Sequence, residues 1–113
     1  MSKFDECIET YKKAMDKLEI KVDEKLLIGV TKACGPSIYR ADASTVSSGD
    51  PKELDRVKKN FLIKKLGLKD TPKLDEGIQD AIAQFGKGNR KKYRAIFYYL
   101  LAKHFRKASM FKN

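Results

Sequence analysis

The chain has no tryptophan, a single histidine, two cysteines, three prolines and seven glycines in 113 residues. Each scarcity excludes something. One histidine and two cysteines do not make a four-ligand zinc site, and Cys7, Cys34 and His104 stand far apart in the sequence rather than at metal-ligand spacing. Two cysteines inside helical patterns do not make a disulfide scaffold, and they point to a reducing, cytoplasmic setting. The longest apolar run, residues 95–102, is far short of the roughly 20 residues that cross a bilayer. No signal-peptide pattern is read at the start, where Phe4 is followed at once by Asp5 and Glu6. Acid is missing from one region altogether. Residues 81–113 hold nine Lys/Arg and no Asp or Glu, a net +9. Residues 1–80 carry a net +1, so the last third supplies nearly all of the formal +10.

What is present is helical. The chain is 42% hydrophobic and 35% charged, with both signs interspersed over its first two thirds. Its length suits one domain, 1–113, able to bury an independent core. Phe4, Cys7, Ile8, Tyr11, Met15 and Leu18 recur at spacings of three and four, predicting a helix over 3–18 with Ser2 as its cap. A second helix is expected over 24–34, capped by Asp23 and stopped by Gly35-Pro36. A third begins sharply at Asp50-Pro51 and runs over 51–66, with Glu53 placed as the acid of a capping box and Gly67 as its stop. The fourth spans 72–85 between Pro72 and Gly86. The fifth, 90–107, follows a short link and is capped by Asn89. The expected fold is therefore all-α, a compact five-helix domain with short links and one long loop over 35–50. In that loop Ser37 to Arg40 suit a single turn and Thr45-Val46 a short extended piece.

The fifth helix is expected at the centre. At 100° per residue, Tyr93, Ile96, Phe97, Leu100, Leu101 and His104 fall on one stripe, while Lys91, Lys92, Tyr99, Lys103 and Arg106 fall opposite, in water. After it, the tail is expected to fray, although Met110 and Phe111 can fold back on the core.

Several chemistries are tested and set aside. Gly86-Lys87-Gly88 follows a helix rather than a strand and lacks the Ser/Thr of a phosphate loop. Asp42, Ser44 and Glu53 match calcium-loop positions one, three and twelve, but Val46 and Ser47 stand where a ligand and the turning glycine are needed. No nucleophile elbow or local Cys–His signature appears. No cofactor, metal or catalytic residue is expected.

Polyanion binding is the most physical of the functional readings. Lys87, Arg90, Lys91, Lys92 and Arg94 cluster at one end of the fifth helix, Lys103 and Arg106 at the other, with Tyr98 and Tyr99 between them to stack on bases if exposed. The bland alternative is a solvated basic helix end. A non-enzymatic binding module for nucleic acid or an acidic protein is thus the leading expectation. A protein–protein or self-association domain, monomeric or weakly dimeric and using Met110 and Phe111, is the alternative. An enzyme using the 35–50 loop trails, with Tyr39, Arg40, Asp42 and Ser44 as its loop candidates.

Three segments carry a resemblance. GPSIYRADAS over 35–44, ELDRVKKNFLIKKLGL over 53–68 and NRKKYRAIFYYLLAKHF over 89–105 resemble small bacterial proteins of the domain-of-unknown-function family 2853. The similarity is collinear and covers nearly the whole chain. It implies an all-helical protein whose helix arrangement is EF-hand-like with the metal loops lost. It implies no activity, and no site residue is carried over from it.

Overall fold

In the computed structural model residues 2–40, 44–47, 49–86 and 92–111 are described. α1 (Lys3–Lys17) starts at Ser2, whose Oγ accepts from the Asp5 amide at 3.1 Å. Its spacing turns Ile8, Tyr11 and Met15 into the core. α2 (Glu24–Cys34) starts where the Asp23 carboxylate accepts from the Leu26 amide at 3.3 Å. It ends at Gly35, whose φ of 65° is open to a residue without Cβ. The chain then makes the expected turn as a 3-10 segment, Gly35–Tyr39.

α3 (Pro51–Val57) continues without a break into a π segment, Lys58–Ile63. Its wider turns are visible in the amides of Lys64 and Leu66, which reach five residues back to the carbonyls of Lys59 and Phe61. The capping box assigned to Glu53 does not form. Asp50 caps the Lys52 amide, and the Glu53 carboxylate turns inward to Arg94 instead. α4 (Pro72–Phe85) has the expected bounds.

α5 (Arg94–His104) is shorter than expected. Arg90 and Asn89 lie outside the described residues; Lys92 and Tyr93 are extended, and the helix ends at His104 rather than at residue 107. The late start is set by an isolated bridge, while at the other end Arg106 turns out of the helix with a positive φ of 58°. Thr45 pairs antiparallel with Tyr93, the Val46 amide donating to the Lys92 carbonyl at 2.7 Å and the Arg94 amide to the Ser44 carbonyl at 2.8 Å. Backbone committed to that bridge is not available for another helical turn. The Thr45-Val46 piece is thus extended, as its composition suggests.

α5 is central, and more completely buried than a two-sided wheel allows. Ala95, Ile96, Phe97, Tyr99, Leu100, Leu101 and Ala102 are all buried, because α1, α2, α4 and the tail pack around it. Tyr99, assigned to the wet side, is fully buried; its hydroxyl accepts from the Asp23 amide at 2.8 Å and donates to the Lys21 carbonyl at 3.0 Å. A phenol placed this way ties the α1–α2 link to the central helix. The radius of gyration, 13.0 Å, is what a compact single domain of this length has. Among the described residues there is no strand beyond that bridge, and no helix is long and apolar enough to cross a membrane.

The tail does not fray over its described part. Ala108–Phe111 forms a 3-10 turn that lays Phe111 on α2 beside Gly29. A Cβ on Gly29 would sit 2.0 Å from the Phe111 carbonyl oxygen and 2.8 Å from its Cβ. Glycine to alanine inside a helix ordinarily stabilises by about 1 kcal/mol. Here Gly29→Ala is expected to destabilise by about 1–3 kcal/mol, the cost of overpacking a close contact. In a chain truncated before Ala108 the sign should reverse. Urea midpoints of the four proteins check both halves of this statement.

Candidate functional site

Of the basic cluster assigned to the start of α5, the two described members, Lys92 and Arg94, are not on an open surface. Lys87, Arg90 and Lys91 lie outside the described residues. Lys92 is only 4% exposed. The Arg94 guanidinium faces inward, paired with the Glu53 carboxylate and donating to the Tyr98 hydroxyl at 2.9 Å. The Arg94 and Glu53 side chains are 15% and 13% exposed. The ion pair makes Arg94 a clasp between α3 and α5 rather than part of an anion-binding edge. Of the two tyrosines assigned to stacking, Tyr99 is buried, and the half-buried Tyr98 stacks on Phe61 with ring centroids 4.0 Å apart. Of the assigned cations, Lys103 and Arg106 are exposed, Lys103 with its ammonium over the Tyr99 ring at 5.6 Å.

Of the loop candidates, Asp42 lies outside the described residues and Arg40 is exposed. Tyr39 and Ser44 do come together, at a cavity of about 380 Å³ between the loop and α1. Cys7, Tyr11 and Tyr93 line it as well, with the rings of Tyr11 and Tyr93 5.2 Å apart. Burial pushes the Tyr11 phenol well above its ordinary range, and the neighbouring Cys7 and Cys34 add to this. The group therefore stays a neutral hydrogen-bonding hydroxyl. The lining holds no imidazole; His104 lies on α5 with its Nδ1 3.6 Å from the Asp80 carboxylate. Among the described residues no group of three or more His, Cys, Asp or Glu is placed to hold a metal ion.

A second region, unmarked by any motif, is a groove between α2, the π segment and the tail. It consists of two cavities, about 310 and 440 Å³, that share Ala33 and Lys65. Its floor is an aromatic ladder. Tyr98 stacks on Phe61, and Phe61 stacks on Phe111 at 6.1 Å. The π segment lends Asn60 and Phe61 to the wall, and the turn after it lends Lys65. Lys32 and Lys65 stand at the rim, and Met110, 46% exposed, closes one end. No carboxylate lines the groove among the described residues. Arg94 also reaches it, already paired with Glu53.

Charge counting along the chain could not find this site. Lys32 and Lys65 come from the nearly neutral first two thirds, where their neighbours in sequence conceal them. In space several acids of that region are occupied by other lysines. Glu9 and Glu24 meet Lys12, Asp70 and Asp75 meet Lys58, and Asp55 meets Lys59. Lys32, Lys65 and Arg106 form no ion pair among the described residues.

Cys34 lines the inner part of the groove. Burial pushes its thiol up to about 12 from an ordinary 9.0, with the Arg94 guanidinium pulling the other way. Between those values the folded chain keeps a proton that the unfolded chain releases. Stability must therefore fall as pH rises from about 9 to about 12, by at most about 1.4 kcal/mol per pH unit for this group. Tyr11, shifted in the same direction, adds to the loss at the upper end. Cys34→Ser is expected to flatten the alkaline limb without abolishing it, as read from urea midpoints across that range. An unchanged limb would contradict the assignment.

The model of the family described as Protein of unknown function (DUF2853) matches residues 9–109. No curated protein matches the chain.

Proposed function

We propose that this chain, which belongs to the DUF2853 family, is a non-enzymatic binding module whose exposed, unpaired cations meet an anionic macromolecule in the cytoplasm. The observation that carries this reading is the groove rimmed by Lys32 and Lys65 with no carboxylate in its described lining. A formal charge of +10 raises the local concentration of any anionic partner and speeds encounter. Two free cysteines fit a reducing compartment.

Affinity for two fluorescent probes, a polyaspartate and an oligothymidylate, tests the reading. Binding to at least one is expected, weakening steeply between low and moderate salt as counterions compete. No binding at low salt, or a response flat in salt, overturns it. Self-association through the exposed Met110 is the alternative, and light scattering at two protein concentrations distinguishes it.

A further inference from the structure

We infer that the groove between α2 and the π segment binds an acidic segment of another protein that carries at least one large apolar side chain. This rests on the anionic-partner reading above and narrows it to one chemistry and one place. The apolar side chain would lie over Ala33 against Phe111, and flanking carboxylates would reach Lys32 and Lys65.

Three observations converge on that occupant. The floor is apolar and aromatic, made by Phe61, Tyr98 and Phe111, so the partner must bring apolar surface to gain from displacing water there. The rim is cationic without a described carboxylate, so the partner's polar groups must be acidic. The wall includes a π segment, a departure from α geometry that recurs at functional sites; Asn60 and Phe61 come from it and Lys65 from the turn that follows.

A nucleic acid fits less well. Phe61 is sandwiched between Tyr98 and Phe111, and Tyr98 has Phe61 against it and Arg94 5.7 Å from its centroid. Those faces are already used by one another and are not free to stack on bases. Two rim lysines engage few phosphates, whereas an amphipathic acidic peptide uses both rim and floor.

The test uses the full chain and three labelled probes of equal length: a peptide alternating Asp and Leu, polyaspartate, and oligothymidylate. The Asp-Leu peptide is expected to bind at least about tenfold more tightly than polyaspartate, the gain from burying leucine side chains. Ala33→Glu, at an exposed position, is expected to remove that advantage, and Lys65→Glu to weaken the same peptide at least about tenfold. Thermal melting of both variants establishes that they are folded. Equal affinity for all three probes, unaffected by Ala33→Glu, overturns the groove while leaving the anionic-partner reading intact. Binding to none overturns both. Oligothymidylate binding tightest overturns the groove in favour of nucleic acid. Concentration-dependent scattering removed by Ala33→Glu, without peptide binding, overturns it in favour of a second copy of the chain.

Discussion

Arg94→Ala is expected to cost about 2–4 kcal/mol of folding stability. A surface cation would cost a few tenths. The difference is the clasp. The guanidinium pairs with Glu53 across 41 residues of sequence and donates to the Tyr98 hydroxyl. Truncation leaves a carboxylate that is 13% exposed with only the exposed Arg56 guanidinium, 3.4 Å away, as counter-charge, and breaking a buried pair from one side costs about 3–5 kcal/mol. The small residual exposure of both partners puts the expectation somewhat lower. Arg94→Lys should recover less than half of the loss, because a single ammonium cannot serve two partners from a planar fork. Replacing Arg94 and Glu53 together with methionine should cost less than Arg94→Ala alone, since no orphan charge remains. Urea denaturation of the set measures this. A loss below about 0.5 kcal/mol for Arg94→Ala would return the residue to the solvent-facing role that its neighbours in sequence suggest.

Phe97→Ala is expected to be larger still, about 3–5 kcal/mol, the usual cost of emptying a fully buried aromatic site. Phe97 has no exposed surface and stacks on Phe85 of α4 at 6.0 Å between centroids. Because α5 is enclosed by α1, α2, α4 and the tail, little backbone is free to collapse into the void. Against a total of about 5–15 kcal/mol for a domain of this kind, the variant should be only marginally folded. Its melting temperature should fall by more than about 10 °C. An unchanged melting temperature would mean that α5 is not the central element.

Those two residues also show how far the sequence could be read. α2 and α4 are found at their expected bounds because local chemistry sets both ends: Asp23 and Gly35 for one, Pro72 and Gly86 for the other. α1 is recovered to within a residue for the same reason. The π segment could not be read in the same way. Val57, Phe61, Leu62 and Leu66 satisfy a helical stripe equally well, and the wider turn arises where tertiary packing overrides local preference. α5 fails instructively. A helical wheel gives every helix a dry side and a wet side, which suits a helix at the edge of a fold and not one enclosed by others. The wheel therefore puts Lys92 and Tyr99 in water, and the charge count puts Arg94 on a basic surface, although Lys92 lies in the segment bridged to residues 44–46, Arg94 pairs with a carboxylate on α3 and Tyr99 bonds the α1–α2 link. Such partners lie tens of residues away and leave no local trace.

The same distance effect separates the assigned site from the groove. Lys103 and Arg106 are legible because they sit in an acid-free stretch, whereas Lys32 and Lys65 gain their character only when the acids near them in sequence pair with other lysines. Of the loop candidates, Tyr39 and Ser44 are legible only as members of a long irregular segment; that they line a cavity with α1 comes from the structure. Cys7, Tyr11 and Tyr93 across that cavity were read only as core positions.

The most direct measurement is a titration of isotope-labelled protein with the Asp-Leu peptide, followed by backbone amide chemical shifts. The largest shifts are expected at Lys32, Ala33, Lys65 and Met110, with Lys103 and Arg106 nearly silent. Shifts concentrated at Lys103, Arg106 and the start of α5, with the groove amides unmoved, would contradict the account and restore the basic C-terminal segment as the binding surface.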